Sequence, residues 1–379
     1  MRLPAKFFLI LSSLLMLGGC SDSSDSKPSD PLPVYDFSSV DARLQQFIDD
    51  SDQTEGISVT IVDRVQGAVH EAAFGDHPEN IVVMLASVSK FPSVTLLMAI
   101  DEDTSLDFDV ETPIQRYLPW EGVYGESTTA QLLSNTSGIP GIFSANARVE
   151  YACQYDPDYD FEECAKLIYS TELPESNPPG TVFDYGGAQW HLAGALGALM
   201  TNNEWSQVFD DYVAEPCDLE VFQYGNTAEL DDFTGDPDSL VGIGNPHAGG
   251  GAIASMTDMS KLLLLHVREG VCGDNRVVSQ DAVKMMQVNR IEGLINPIYP
   301  DHSYGMGWWG RDDLPESIYF DAGAYGSVAW IDTQRMVGGF VAVDDYSKGS
   351  TYPTWNLVVD EIIPLVGKIV DEARAATQK

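Results

Sequence analysis

Behind Ser39, the residues Val40, Leu44, Phe47 and Ile48 recur at helical spacing, so the pattern predicts a helix that Ser39 can cap. The period then changes. Ile57, Val59 and Ile61 alternate in the manner of a strand, and a turn near Gly67 returns the chain through Ala68 to Phe74. The C-terminal end mirrors this: residues 327–332 and 337–344 read as paired strands, and 356–376 as a closing helix with Pro364 as a kink. Between the ends the pattern is mostly helical, with helices predicted over 88–101, 187–201 and 257–269, the last ended by Gly270. The fold class read from this is α/β of the α+β type. The two ends should form one antiparallel sheet flanked by helices, and the middle, about residues 85–290, an inserted and mostly helical lobe.

Composition narrows the picture. A hydrophobic fraction of 44% over 379 residues supports a sizeable core, and 58 acidic against 20 basic residues give a net charge of -38. Such a chain repels phosphate backbones, which excludes nucleic acid as a partner and leaves a solvated acidic surface. The N-terminus carries an address: basic Arg2 and Lys6, the apolar run from Phe7 to Leu17, then Gly18-Gly19-Cys20. Leu17-Gly18-Gly19-Cys20 resembles a lipobox, which implies cleavage after residue 19 and a lipid anchor on Cys20. The Ser, Asp and Pro content of the following residues reads as a tether over 20–37, leaving 38–379 as the folded domain. The localisation expected is the periplasm-facing cell envelope, and Ser21 after the cysteine implies the outer membrane. No apolar stretch after residue 20 is long enough to span a bilayer. Four further cysteines, Cys153, Cys164, Cys217 and Cys272, fit an oxidising compartment; of three pairings, Cys153 with Cys164 and Cys217 with Cys272 is preferred over the others and over free thiols.

The chemistry is concentrated in a few short runs. Ser87-Val88-Ser89-Lys90 opens the predicted helix, and residues three apart share a helix face, so the lysine amine can reach the serine hydroxyl and act as its base. By itself this spacing is weak. It is followed by Leu132 to Pro140 (LLSNTSGIP), then Phe183-Asp184-Tyr185-Gly186-Gly187, Ala248-Gly249-Gly250-Gly251 and Tyr304-Gly305-Met306-Gly307-Trp308-Trp309. In this order the runs resemble the penicillin-binding-protein-like serine hydrolases: class C β-lactamases, D-aminopeptidases and the esterases of their fold. The resemblance implies Ser87 as nucleophile, Lys90 and Tyr185 sharing the proton transfers, and the Ser87 backbone N–H in the oxyanion hole. A tyrosine beside a lysine ammonium is expected to favour its anion.

Two departures concern substrate binding. Gly187 stands where the family often has an asparagine. Asp321-Ala322-Gly323 is the best counterpart of a motif that normally begins with a cation, so Asp321 is expected to repel a substrate carboxylate, with Ala324 supplying the second oxyanion N–H. His247 reads as a structural histidine. Asp156, Asp158 and Asp160 have the alternate spacing of a calcium loop, but Phe161 and Leu167 occupy the positions of its glycine and bidentate glutamate, so no metal is expected, and no cofactor. No Gly-x-Ser-x-Gly elbow surrounds a serine. The function expected is hydrolysis through an acyl-enzyme, esterase-like, of a small-molecule or peptide substrate lacking a carboxylate near the scissile bond. A D-amino acid peptidase or β-lactamase is the alternative among enzymes, and a non-catalytic scaffold lipoprotein the alternative outside them.

Overall fold

The computed structural model describes residues 31–51, 54–226, 233, 235–240, 242–343 and 351–377, so Cys20 and the start of the tether lie outside the described residues. The strands are β1 (Gly56–Asp63), β2 (Gly67–Gly75), β3 (Val82–Met84), β4 (Gln223–Tyr224), β5 (Ala252–Ser255), β6 (Val271–Cys272), β7 (Asn275–Arg276), β8 (His302–Tyr304), β9 (Trp309–Arg311), β10 (Ile318–Ala322), β11 (Val328–Asp332) and β12 (Val337–Ala342). Seven of them form one antiparallel sheet in the order β2-β1-β12-β11-β10-β9-β8. The two ends of the chain thus meet, with Ser58 opposite Ala342 and Asp63 opposite Val337.

Each face of this sheet is covered. Ile57, Val59, Ile61, Trp330 and Val341 pack under the helix Ser38–Asp50 and the closing helical segment, through Val40, Leu44, Val358 and Val366. The helix Met256–Val267 lies on the other face, against β1, β11 and β12. This helix, although inside the span assigned to the lobe, belongs to the sheet. It also explains why every residue of β1 is buried, the polar Ser58 and Thr60 included. Ser58 meets the cost by donating its hydroxyl to the Pro78 carbonyl at 3.0 Å.

Three element ends differ in detail from the sequence expectation. The first helix begins at Ser38, before the expected Ser39 cap, with the Ser38 N–H donating to Asp36 Oδ1. The helix Met256–Val267 is capped by Ser255, and its exit passes through Glu269 and Gly270, both left-handed at φ 57° and 90°. The kink assigned to Pro364 takes the form of a wide π turn over Leu357–Ile362, just ahead of the residue that has no N–H to give.

The middle of the chain holds the helices Lys90–Asp101 and Gly187–Thr201 and the small sheet β3-β5-β4. The Lys90 helix is buried on all sides, from Lys90 to Ile100. Disulfides join Cys153 to Cys164 and Cys217 to Cys272, the preferred pairing. Asp156 and Asp160, the ends of the calcium-like spacing, serve the backbone instead, accepting the N–H groups of Asp158 and Glu163. Among the described residues no helix is long and apolar enough to cross a membrane, and no acidic, histidine or cysteine group forms a metal site.

Candidate active site

Ser87 lies in a 3-10 turn, Ala86–Ser89, that runs directly into the buried helix carrying Lys90. Ala86 enters this turn at φ 45°, a left-handed conformation that a non-glycine residue adopts only where its surroundings hold it. Leu85 accepts the Val88 N–H at 3.1 Å, and its own N–H donates to Ala252 of β5, so the turn hangs from the small sheet. The result is a half-buried Ser87 above a lysine that is 2% exposed.

Lys90 Nζ donates to Ser87 Oγ at 3.1 Å and to the Gly249 carbonyl at 2.5 Å. It sits 4.7 Å from the centroid of the Tyr185 ring and 5.7 Å from that of Trp190. Burial pushes its pKa down to about 8, against a smaller upward pull from Asp321. The glycine run therefore has a definite use: Gly249 offers its carbonyl to the Lys90 amine, while a Cβ there would lie 2.7 Å from Trp190 Cβ.

Tyr185 is held by the 132–140 segment. Asn135, left-handed at φ 55°, accepts the Asp184 N–H on its carbonyl at 2.9 Å and the Gly186 N–H on its Oδ1 at 3.1 Å. Gln189 Nε2 donates to the Asp184 carbonyl, and Ser137 donates to Gln189 Oε1, so both flanks of Tyr185 are fixed. The Tyr304 to Trp309 run closes around this point. Tyr304 and Trp309 contact the Tyr185 ring at 6.0 and 5.2 Å, and Trp308 stacks on Phe91 at 4.9 Å. Gly307, at φ 76°, lets the loop lie against the backbone of Lys90. The phenol itself differs from the expectation of an anion: burial first and Asp321 second push its pKa well up, and a hydrogen bond with Ser87 offsets this only in part. Both causes favour the neutral phenol over its anion.

The expected substrate-binding residues are distributed unevenly. Gly323 abuts the Ala86–Ser89 turn, where a Cβ would lie 2.3 Å from the Leu85 carbonyl, and Ala324 follows it at the exposed rim of a turn closed by Gly323 N–H to Ser327 O at 2.7 Å. Asp321 is on the strand below and fully buried, 0% exposed, so the expected face-to-face repulsion between it and a substrate carboxylate is not built. Gly187 also contacts no open space. A Cβ on it would lie 2.5 Å from both Gln154 Oε1 and His247 Nε2, which fill the place of the missing side chain.

Gln154 escaped the sequence reading, and His247, which precedes the glycine run and could face the site, was read there as structural. They are joined at 3.3 Å, His247 lies on the Tyr155 ring at 5.3 Å, and its pKa is held well below the usual value by burial, with His191 and Lys90 adding to it. Gln154 sits one residue after Cys153 in a turn that Asn245 clamps through the Cys153 and Asp156 carbonyls. A glycine at 187 was a signal, since it marks where another side chain has to come in, and the place of His247 before the glycine run was another. A cavity of about 600 Å³ lies elsewhere, between Pro31–Tyr35 and Arg374, and holds none of these groups.

The family profile described as Beta-lactamase matches residues 40–360 of the chain. No curated protein matches it. Among solved structures, it is similar to a protein from Bacteroides dorei assigned to the beta-lactamases (TM-score 0.71, 22% identity, covering 89% of this chain and 99% of that one). It is also similar to EstCE1, described as a hydrolase with promiscuous acyltransferase activity (0.66, 20%, 84% and 97%). A third is a D-stereospecific amidohydrolase from Streptomyces (0.64, 17%, 85% and 98%). At these identities the likeness to solved structures is one of fold.

Proposed function

The chain belongs to the beta-lactamase family, and from that premise we propose that it is a serine hydrolase working through an acyl-enzyme on Ser87, with esters as its preferred substrates. The observation that carries this is the 3.1 Å contact between Ser87 Oγ and a buried lysine whose pKa is pushed down to about 8. An amine so placed takes the serine proton as Oγ bonds to the substrate carbonyl carbon. The ester C–O bond then breaks, Tyr185 gives its proton to the leaving oxygen, and the Lys90 ammonium restores the phenol. Water repeats the sequence to free the acid. The Ser87 N–H and the Ala324 N–H are assigned to the oxyanion.

Two features favour esters. An alkoxide leaves with less help from an acid than an amine does, which suits a phenol pushed well above its normal pKa. The strand position at which family relatives hold a cation for a substrate carboxylate is Asp321 here, and it is sealed. Penicillins and peptides ending in D-alanine are therefore expected to be poor substrates. A fluorophosphonate probe with mass spectrometry, beside p-nitrophenyl esters, D-amino acid amides and penicillins, tests the reading. Wild type should carry the adduct on Ser87 and turn over the esters fastest, and Ser87→Ala should do neither while remaining folded. An active Ser87→Ala protein would end the assignment.

The same proposal includes a lipid anchor on Cys20 at the periplasm-facing envelope, supported by the basic start, the apolar run and the lipobox-like Leu17 to Cys20.

A further inference from the structure

Asp321 is buried beside the reacting groups, and the steps above give it no work. Gly323, just past the end of β10, continues the alternation from Asp321 and so lies on the same side, and the Leu85 carbonyl lies 2.3 Å from where a Gly323 Cβ would be. That side is turned toward the turn that carries Ser87 and Lys90. Phe320, the residue before Asp321, points the other way, to the Trp355 ring. Directly across the ladder from Asp321 is Ala329, whose methyl offers no hydrogen bond. Neither carboxyl oxygen has a well-formed partner, the Ala322 N–H giving only a weak one. A carboxyl in such a place persists only if it keeps a proton or faces a cation. The groups whose charge reaches it are Lys90 from the helix, Tyr185 from the loop before Gly187, and Tyr304 from β8; Lys90 in turn also faces His247.

Resting on the acyl-enzyme reading above, we propose that Asp321 is a positioning residue acting through Lys90, supplying the negative pole that lets a buried amine take the Ser87 proton and hold it as ammonium. The carboxyl does this from the strand position where family relatives carry a cation. It touches no substrate. The proton leaves Ser87 Oγ, forms an N–H bond on Lys90 and later passes through Tyr185 to the leaving oxygen, so Asp321 neither gains nor loses a bond. Burial raises the carboxyl and lowers the amine, each partly undoing the other's shift, so the two titrate as a pair.

The test is the pH dependence of fluorophosphonate labelling of Ser87, which needs no knowledge of the substrate. In wild type the rate should rise through about pH 8, where Lys90 loses its proton. In Asp321→Asn and Asp321→Ser that limb should move about one pH unit lower, because an amine without its counter-group is less basic, and the plateau should fall about tenfold. Asp321→Glu should return the limb toward wild type. A wild-type measurement guards against variants that fail to fold: the infrared band of a buried protonated carboxyl must fade over the same pH range as the labelling limb. A flat band, or a limb unmoved in a folded variant, overturns the role of Asp321 alone. Absence of labelling in wild type overturns the acyl-enzyme reading beneath it.

Discussion

Lys90 must be uncharged to take a proton, and its burial is what brings that state within reach of neutral pH. With a pKa near 8, roughly one Lys90 in ten is the free amine at pH 7. Ester turnover, read as kcat/KM, should therefore rise about tenfold between pH 7 and 9 and flatten above; a rate independent of pH there would remove Lys90 as the base. At Gly187 the crowding gives a second expectation. Gly187→Ala should cost about 1–3 kcal/mol, since the methyl meets Gln154 and His247 at 2.5 Å. In a His247→Ala background the same change should cost much less, because only the mobile end of Gln154 then stands in the way. Equal costs in both backgrounds, measured by urea unfolding, would mean that His247 does not fill the site. The Ser87 and Lys90 pair was legible because three-residue spacing on a helix is local. The pairing of Gln154 with His247 was not, because they reach one spot from positions 93 residues apart and only the fold brings them together.

At the scale of elements, the turn Ala152–Tyr155 links a disulfide to the site: Cys153 anchors it, and Gln154 and Tyr155 face His247. The second disulfide ties the Cys217 end of a helix to β6, with Asn275 Nδ2 donating to the Pro216 carbonyl beside it. Removing either bond should cost about 2–4 kcal/mol. The consequences for activity should differ. Cys153→Ser with Cys164→Ser should lower kcat/KM several-fold by loosening Gln154, whereas Cys217→Ser with Cys272→Ser should leave it near wild type at temperatures where both proteins are folded. The reverse order would show that the 152–155 turn does not hold the site. Periodicity located the sheet at both chain ends and the helices over 187–201 and 257–269, because each has a long apolar pattern. It could not show that Met256–Val267 covers the sheet rather than the lobe. Nor could it show that β1 is buried on both faces, since Ser58 and Thr60 look like solvent positions until that helix is placed over them. Asp321 was located by order of motifs alone, and order fixes a position along a strand but not how deep it lies.

For the whole molecule, the dominant quantity is a net charge of -38. The anchor is tested first at this scale: Cys20→Ser should shift the protein from the membrane to the soluble fraction, because the polar remainder holds no other apolar span, and unchanged fractionation would discard the lipobox. Charge also decides how stability responds to salt, and two effects oppose each other. Several of the few cations join distant elements: Arg43 binds Glu361 at 2.6 Å, Arg374 binds Asp63 at 2.7 Å, and Arg335 binds both Asp332 and Asp371, so the first strand, the last strands and the terminal helices are pinned together. Salt screens these pairs and so weakens the fold. Partly exposed ion pairs are worth about 0–1 kcal/mol each, so the loss is small even when summed. Against it stands repulsion among the carboxylates, which outnumber cations by 58 to 20 and push the folded state apart. At about 0.15 M salt the screening length is about 8 Å, comparable to the spacing of charges on so acidic a surface, so added salt relieves much of that repulsion. Repulsion acts over the whole surface and the pairs only at a few joints. The melting temperature should therefore rise as sodium chloride increases from about 0.02 to 0.5 M, the range over which screening tightens most. A chain held chiefly by its arginine joints would melt lower instead, and Arg374→Gln would then weaken that fall, whereas the rise due to the acidic surface should persist in the same variant.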